Sequence, residues 1–209
     1  MENDDLIVDT KNPDHSCYGS HSENLKSIIS TAYKNGAHDA YAVSVRDIVV
    51  DERVRLKCLI PVCKHYGDLV CPPNVPTPEE FKKYLEKYKF GVIISTVYNN
   101  PPKPKSLASS DDVSKEIRKK AKELSEILLK MEAESIKMGY RFSIGLTGGS
   151  CTYCEECPGT GFKCEHPYLA RPSMEAVGID VVGTLEKIGI NLEFPVSNNV
   201  KWWGLLIID

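Results

Sequence analysis

Cys151, Cys154, Cys157 and Cys164 put four thiols into the stretch CTYCEECPGTGFKCEHP. The first three follow a C-x2-C-x2-C spacing, and the fourth comes after PGTGFK, just ahead of Glu165 and a His-Pro pair. A tight loop of this kind can wrap a cubane, each sulfur taking a different iron, and 4Fe-4S ferredoxins begin with the same spacing. A structural zinc site more often uses two separated C-x2-C knuckles, each supplying two corners of a tetrahedron. The spacing favours iron and sulfur. Zinc stays open as the alternative, because four thiolates also complete a tetrahedral zinc set and His166 offers a further donor. In this reading Gly159 and Gly161 let backbone amides approach a negatively charged cluster. Arg171 either offsets the same charge, together with a helix start after Pro172, or stands as a surface cation.

A second group, Cys58, Cys63 and Cys71, lies in CLIPVCKHYGDLVCPP with x4 and x7 intervals. Three thiolates leave one iron of a cubane without a protein cysteine. Either Cys17 completes the set, giving two four-cysteine sites, or that iron is open to water, substrate or a non-cysteine ligand such as His65. Two fully coordinated clusters suit a protein that relays single electrons to a partner enzyme. An exchangeable iron suits an enzyme or sulfur carrier, because it can act as a Lewis acid or bind sulfide. A zinc-stapled adaptor, whose metal supplies only folding energy, is the third possibility. His15, His21 and His38 carry no such neighbours and read as surface or packing residues.

These segments need a scaffold. Leu25, Ile28, Ile29, Ala32 and Tyr33 recur at helical spacing behind Ser22, with Gly36 as a left-handed stop. AYAVSVRDIVV (40–50) and FGVIISTVY (90–98) read as strands, and Thr77 to Lys89 as a helix. The prolines of 58–78 exclude a long helix or central strand there. From Ser110 to Gly139 one apolar stripe through Ile117, Ala121, Leu124, Leu128 and Met131 marks the longest helix, with a short coiled coil as the rival reading. YRFSIGLTGG reads as a strand ending in a glycine turn, and lacks the lysine of a phosphate-binding loop. A short helix, a break near Gly178 and a second helix follow, and WWGLLIID closes the chain as a strand, with Trp202 and Trp203 packing it against a helix. The expected fold is a single α/β domain over 1–209. Its sheet is flanked by helices, and the cysteine-rich segments 58–72 and 151–167 are inserted at the sheet edge.

Acidic residues outnumber basic ones, 29 to 26, which argues against nucleic acid or anionic membranes as partners. The lysines of FKKYLEKYK and KEIRKKAKE alternate with glutamates and read as a solvated surface. MENDDLIVDT is acidic where a secretory signal is basic, and no apolar run reaches membrane-spanning length. A cytoplasmic protein is expected, and in a reducing compartment clustered thiols bind metal or do redox chemistry rather than form disulfides.

RLKCLIPVCKHYGDLVCPP, CTYCEECPGTGFKCEHP and RPSMEAVGIDVVGT together resemble the family of predicted metal-binding proteins called domain of unknown function 2284, from about Leu25 to Ile208. The resemblance implies metal binding by the matching cysteines, in proteins found largely among anaerobic archaea and bacteria. It implies no particular reaction, and Cys17 lies outside the matching stretch.

Overall fold

The computed structural model describes residues 22–99, 111–192 and 199–209. Four strands form one fully antiparallel sheet: β1 (Asp39–Ser44), β2 (Phe90–Asn99), β3 (Ile144–Leu146) and β4 (Asn199–Ile208), in the order β1-β2-β4-β3. Ile93 of β2 pairs with Tyr41 on one side and Leu205 on the other, and Leu205 also pairs with Leu146. Alternate side chains of a strand point to opposite faces, so this register sorts the core into two layers.

Helices cover both layers. On one face, α1 (Ser22–Lys34) and α4 (Asp111–Lys137) bury Leu25, Ile28, Leu124, Leu128 and Met131 against Val92, Ile94 and Leu206. The α4 stripe is therefore that of a single amphipathic helix on a sheet. On the other face, α3 (Pro78–Leu85) and α5 (Val181–Lys187) bury Phe81, Leu85 and Leu185 with Ile93, Leu205, Trp203 and Ile179. Thr77 and Glu80 start α3 with a reciprocal capping box, and Asp180 caps α5 by accepting the Gly183 N–H. The expected α/β class is observed, in three layers.

Local signals account for the boundaries. Gly36 takes φ 101° after α1, as a left-handed stop does. Val45–Asp47 forms a 3-10 turn, so β1 is shorter than its β-branched run. The break at Gly178 has φ 87°, and a Cβ there would sit 2.7 Å from the Pro78 ring. Among the described residues, no helix is long and apolar enough to cross a membrane.

β1 and β3 are the two edge strands, and each cysteine segment follows one of them in the chain. The first begins in the single turn α2 (Leu56–Leu59), which carries Cys58. The second is a loop whose neck is closed where Thr147 donates to the Pro172 carbonyl and accepts from the Met174 N–H.

Candidate metal centre

In the first segment, short backbone bonds replace regular structure. The Cys63 amide donates to the Cys58 carbonyl at 3.0 Å, Tyr66 to Cys63 at 2.9 Å and Cys71 to Asp68 at 2.9 Å. Gly67, at φ 99°, reverses the chain so that its amide reaches the Pro72 carbonyl at 2.7 Å. These turns fold the stretch carrying Cys58, Cys63 and Cys71 back on itself. His65 Nδ1 lies 2.8 Å from an Asp68 carboxylate oxygen, which holds the ring and leaves Nε2 free of that contact.

The second segment hangs from β3, β4 and α4. Gly148 passes so close to β4 that a Cβ would lie 2.8 Å from the Trp203 carbonyl, and its own carbonyl accepts the Trp202 indole N–H at 3.2 Å. Arg118, inside the basic run of α4, donates to the carbonyls of Thr152 and Cys154. That run is thus partly a loop anchor and not wholly a solvated face. Tyr153 pairs its hydroxyl with Ser125 of α4 at 3.2 Å. Beyond the cysteines, Arg171 grips Glu132 of α4 through two bonds of 2.7 and 2.6 Å. Both side chains are largely enclosed, so Arg171 is not a solvated surface cation. It is a structural tie.

The two segments leave opposite edges of the sheet and meet each other. The Gly67 carbonyl accepts the Thr160 amide at 3.1 Å and the Thr160 hydroxyl at 3.2 Å. Asn74 donates to Gly67 O, Asp68 O and Thr160 Oγ1 at 3.0, 3.2 and 2.8 Å. Gly159 and Gly161, at φ 77° and 91°, frame this contact. One thiol takes part directly: the Leu69 amide donates to Cys157 Sγ at 3.3 Å. The two cysteine loops therefore meet at one junction, with the Cys157 sulfur at the contact.

All seven described cysteines are free thiols, and each is half-buried. Burial pushes the Cys71 thiol up to about 12, with Asp68, Cys58, Cys63 and Cys151 adding to the shift. Burial likewise raises Cys151, against the Tyr153 and Thr152 amides, and raises Cys58, with Cys63 adding and Arg55 opposing. Such thiols stay protonated at neutral pH and are poor nucleophiles. A bound cation would supply the positive charge that ionises them, and metal uptake would release protons. Crowded thiols with an amide N–H aimed at one sulfur fit a thiolate-ligated metal or iron-sulfur group.

Cys154 stands in a different setting. Its sulfur donates to Glu165 Oε2 at 3.8 Å, and His166 completes a set of donor atoms that all lie within 4.8 Å of one another. Among the described residues this is the one group so compact. Sequence reading weighted His166 but passed over Glu165 as a donor, although it adjoins Cys164. Cys17, His15 and His21 lie outside the described residues, and His38 pairs with Asp39 at 3.1 Å.

A family model described as predicted metal-binding protein, domain of unknown function 2284, matches residues 41–208. The matched stretch holds both cysteine segments and ends with β4, whereas Cys17 and α1 precede it. No curated protein and no solved structure matches the chain.

Proposed function

The chain belongs to this family of predicted metal-binding proteins, and on that premise we propose that its cysteine segments hold two 4Fe-4S clusters that pass single electrons to a partner protein. The observation that carries the proposal is the junction, where the Leu69 amide of one segment donates to Cys157 Sγ of the other. Cys58, Cys63 and Cys71 supply one cluster, and the other takes at least Cys151, Cys157 and Cys164. Cys17 is the candidate fourth ligand of the first cluster. When bound, such clusters supply one-electron redox chemistry, tuned by hydrogen bonds to sulfur and by exposure. The chain's own contribution is to clamp the loops through Thr160 and Asn74, which sets the spacing between the two centres.

A second reading rests on the His65–Asp68 pair. A carboxylate on Nδ1 orients an imidazole for ligation through Nε2, so His65 suits an iron that lacks a cysteine. Exchange of that imidazole for substrate or sulfide would open the iron, as an enzyme or a sulfur carrier needs.

Anaerobic purification and reconstitution, followed by iron, sulfide and zinc quantification, tests the proposal. It expects roughly eight irons per chain, with matching sulfide. Stoichiometric zinc without iron uptake would overturn it in favour of a zinc-stapled protein. Cys17→Ser separates the two iron readings. Loss of the first cluster supports closed coordination, whereas a surviving cluster that binds added sulfide supports the open iron.

A further inference from the structure

We propose that Cys154, Glu165 and His166 form a mononuclear site for a zinc-class divalent cation, distinct from the cluster thiols and keeping a fourth position for water. The three donor atoms lie within 4.8 Å of one another. Zinc bonds of about 2.0–2.3 Å place tetrahedral ligand atoms roughly 3.5 Å apart, so small side-chain rotations close this set on one ion. A cubane demands something else: its thiolates sit on different irons, and a carboxylate and an imidazole beside one corner have no part in it. The donor set is sulfur, nitrogen and oxygen, which suits zinc and its neighbours in the divalent series better than calcium or magnesium. Three protein ligands with one open position is the pattern of zinc sites that exchange ligands.

The loop holds these donors in place without a metal. Arg118 donates to the carbonyls of Thr152 and Cys154, so the backbone carrying the thiol is tied to α4. The Tyr153 ring rests 5.9 Å from the His166 ring at a tilt of 47°, and its hydroxyl is fixed by Ser125. The Leu169 and Ala170 amides both donate to the His166 carbonyl, which turns the chain just behind the ligands. Glu165 is exposed while Cys154 and His166 are half-buried, so solvent reaches the donor set. This inference does not depend on the electron-transfer reading. It requires that Cys154 be spared from the second cluster, which then holds three of its irons through Cys151, Cys157 and Cys164 and takes its fourth ligand from elsewhere.

Cobalt(II) added to the anaerobically reconstituted full chain, after chelator removal of loosely held divalent ions, is the test. The wild type is expected to bind one cobalt beyond its iron, with a thiolate-to-cobalt charge-transfer band and the intense visible bands of four-coordinate cobalt. His166→Ala and Glu165→Gln should each weaken cobalt binding at least about tenfold, since even an outer partner of a ligand is worth that much. Cys154→Ser should abolish the charge-transfer band. Iron and sulfide should be unchanged in all three. Cobalt binding that ignores these substitutions overturns the proposal, and so does iron loss in step with cobalt loss, which would make Cys154 a cluster ligand. Circular dichroism checks folding, and if Cys154→Ser does not fold, the Glu165 and His166 variants decide. Should the wild type hold no iron, the cluster reading falls, and dependence of one cobalt on Glu165 and His166 still decides this site.

Discussion

Replacing Arg171 by Met should destabilise the protein far more than a lost surface ion pair would. The Glu132 side chain is only 8% exposed and that of Arg171 18%, and their two bonds measure 2.7 and 2.6 Å. Glu132 also accepts the Gly145 amide of β3, so one carboxylate joins α4, β3 and the neck of the second cysteine loop. Removing the guanidinium leaves this carboxylate enclosed and uncompensated, a loss of about 3–5 kcal/mol. For a chain of this size each kcal/mol lowers Tm by about 2–4 °C, so the drop should be roughly 6–20 °C. Urea and thermal unfolding of metal-loaded protein, followed by circular dichroism under anaerobic conditions, measure it. The double variant Arg171→Met with Glu132→Gln removes the orphaned charge yet keeps an acceptor for Gly145, so it should recover at least half of the loss. A single-variant loss under about 1 kcal/mol, as for an exposed pair, would refute the reasoning. A double variant no better than the single would refute it too.

Asn74→Ala deletes three donations, two within the first loop and one to Thr160 across the loop junction. Since the contact is exposed, the loss should be about 1–2 kcal/mol, read as faster release of metal to a chelator with little change in global unfolding. Gly178→Ala should cost more than about 1 kcal/mol, because φ is 87° and the new methyl would strike Pro78; equal urea midpoints would contradict this. Asp39 gives a pH test. Burial acts to raise its pKa, but hydrogen bonds from Lys201, Ser95 and His38 outweigh burial and leave it below the ordinary value of 3.8. Its ionised form therefore adds stability that is fully present above that value and is lost as the pH falls through the lower folded-state pKa. Asp39→Asn should flatten the acid limb of the stability curve, and parallel curves for the two proteins would sink the assignment.

The scaffold was largely legible in the sequence, for reasons that can be named. The α4 stripe and the β-branched runs of β2 and β4 carry strong periodicity, and Gly36 and Gly178 mark breaks that only a residue tolerant of positive φ takes without strain. Strand direction was not legible, because alternating helices and strands fit several topologies. Thiol spacing reports local geometry, so the members of each segment could be grouped from sequence. The docking of one loop on the other could not, because it depends on contacts of Thr160 with Gly67 and Asn74, residues far apart in the chain. The tie of Arg171 to Glu132 was missed for the same reason: it joins the loop to the buried side of α4, far away in the chain. The closeness of Cys154 to Glu165 and His166 was not legible either, because the loop brings those two residues back from its far end.

Electron paramagnetic resonance of the anaerobically reduced protein tests the central claim most directly, since two clusters held at one loop junction must sense each other. The account predicts a broadened, split spectrum of two interacting reduced 4Fe-4S clusters, collapsing to a single isolated signal when Cys71 or Cys151 is replaced by Ser. A colourless, signal-free protein would contradict it, and so would a wild-type spectrum of one isolated cluster.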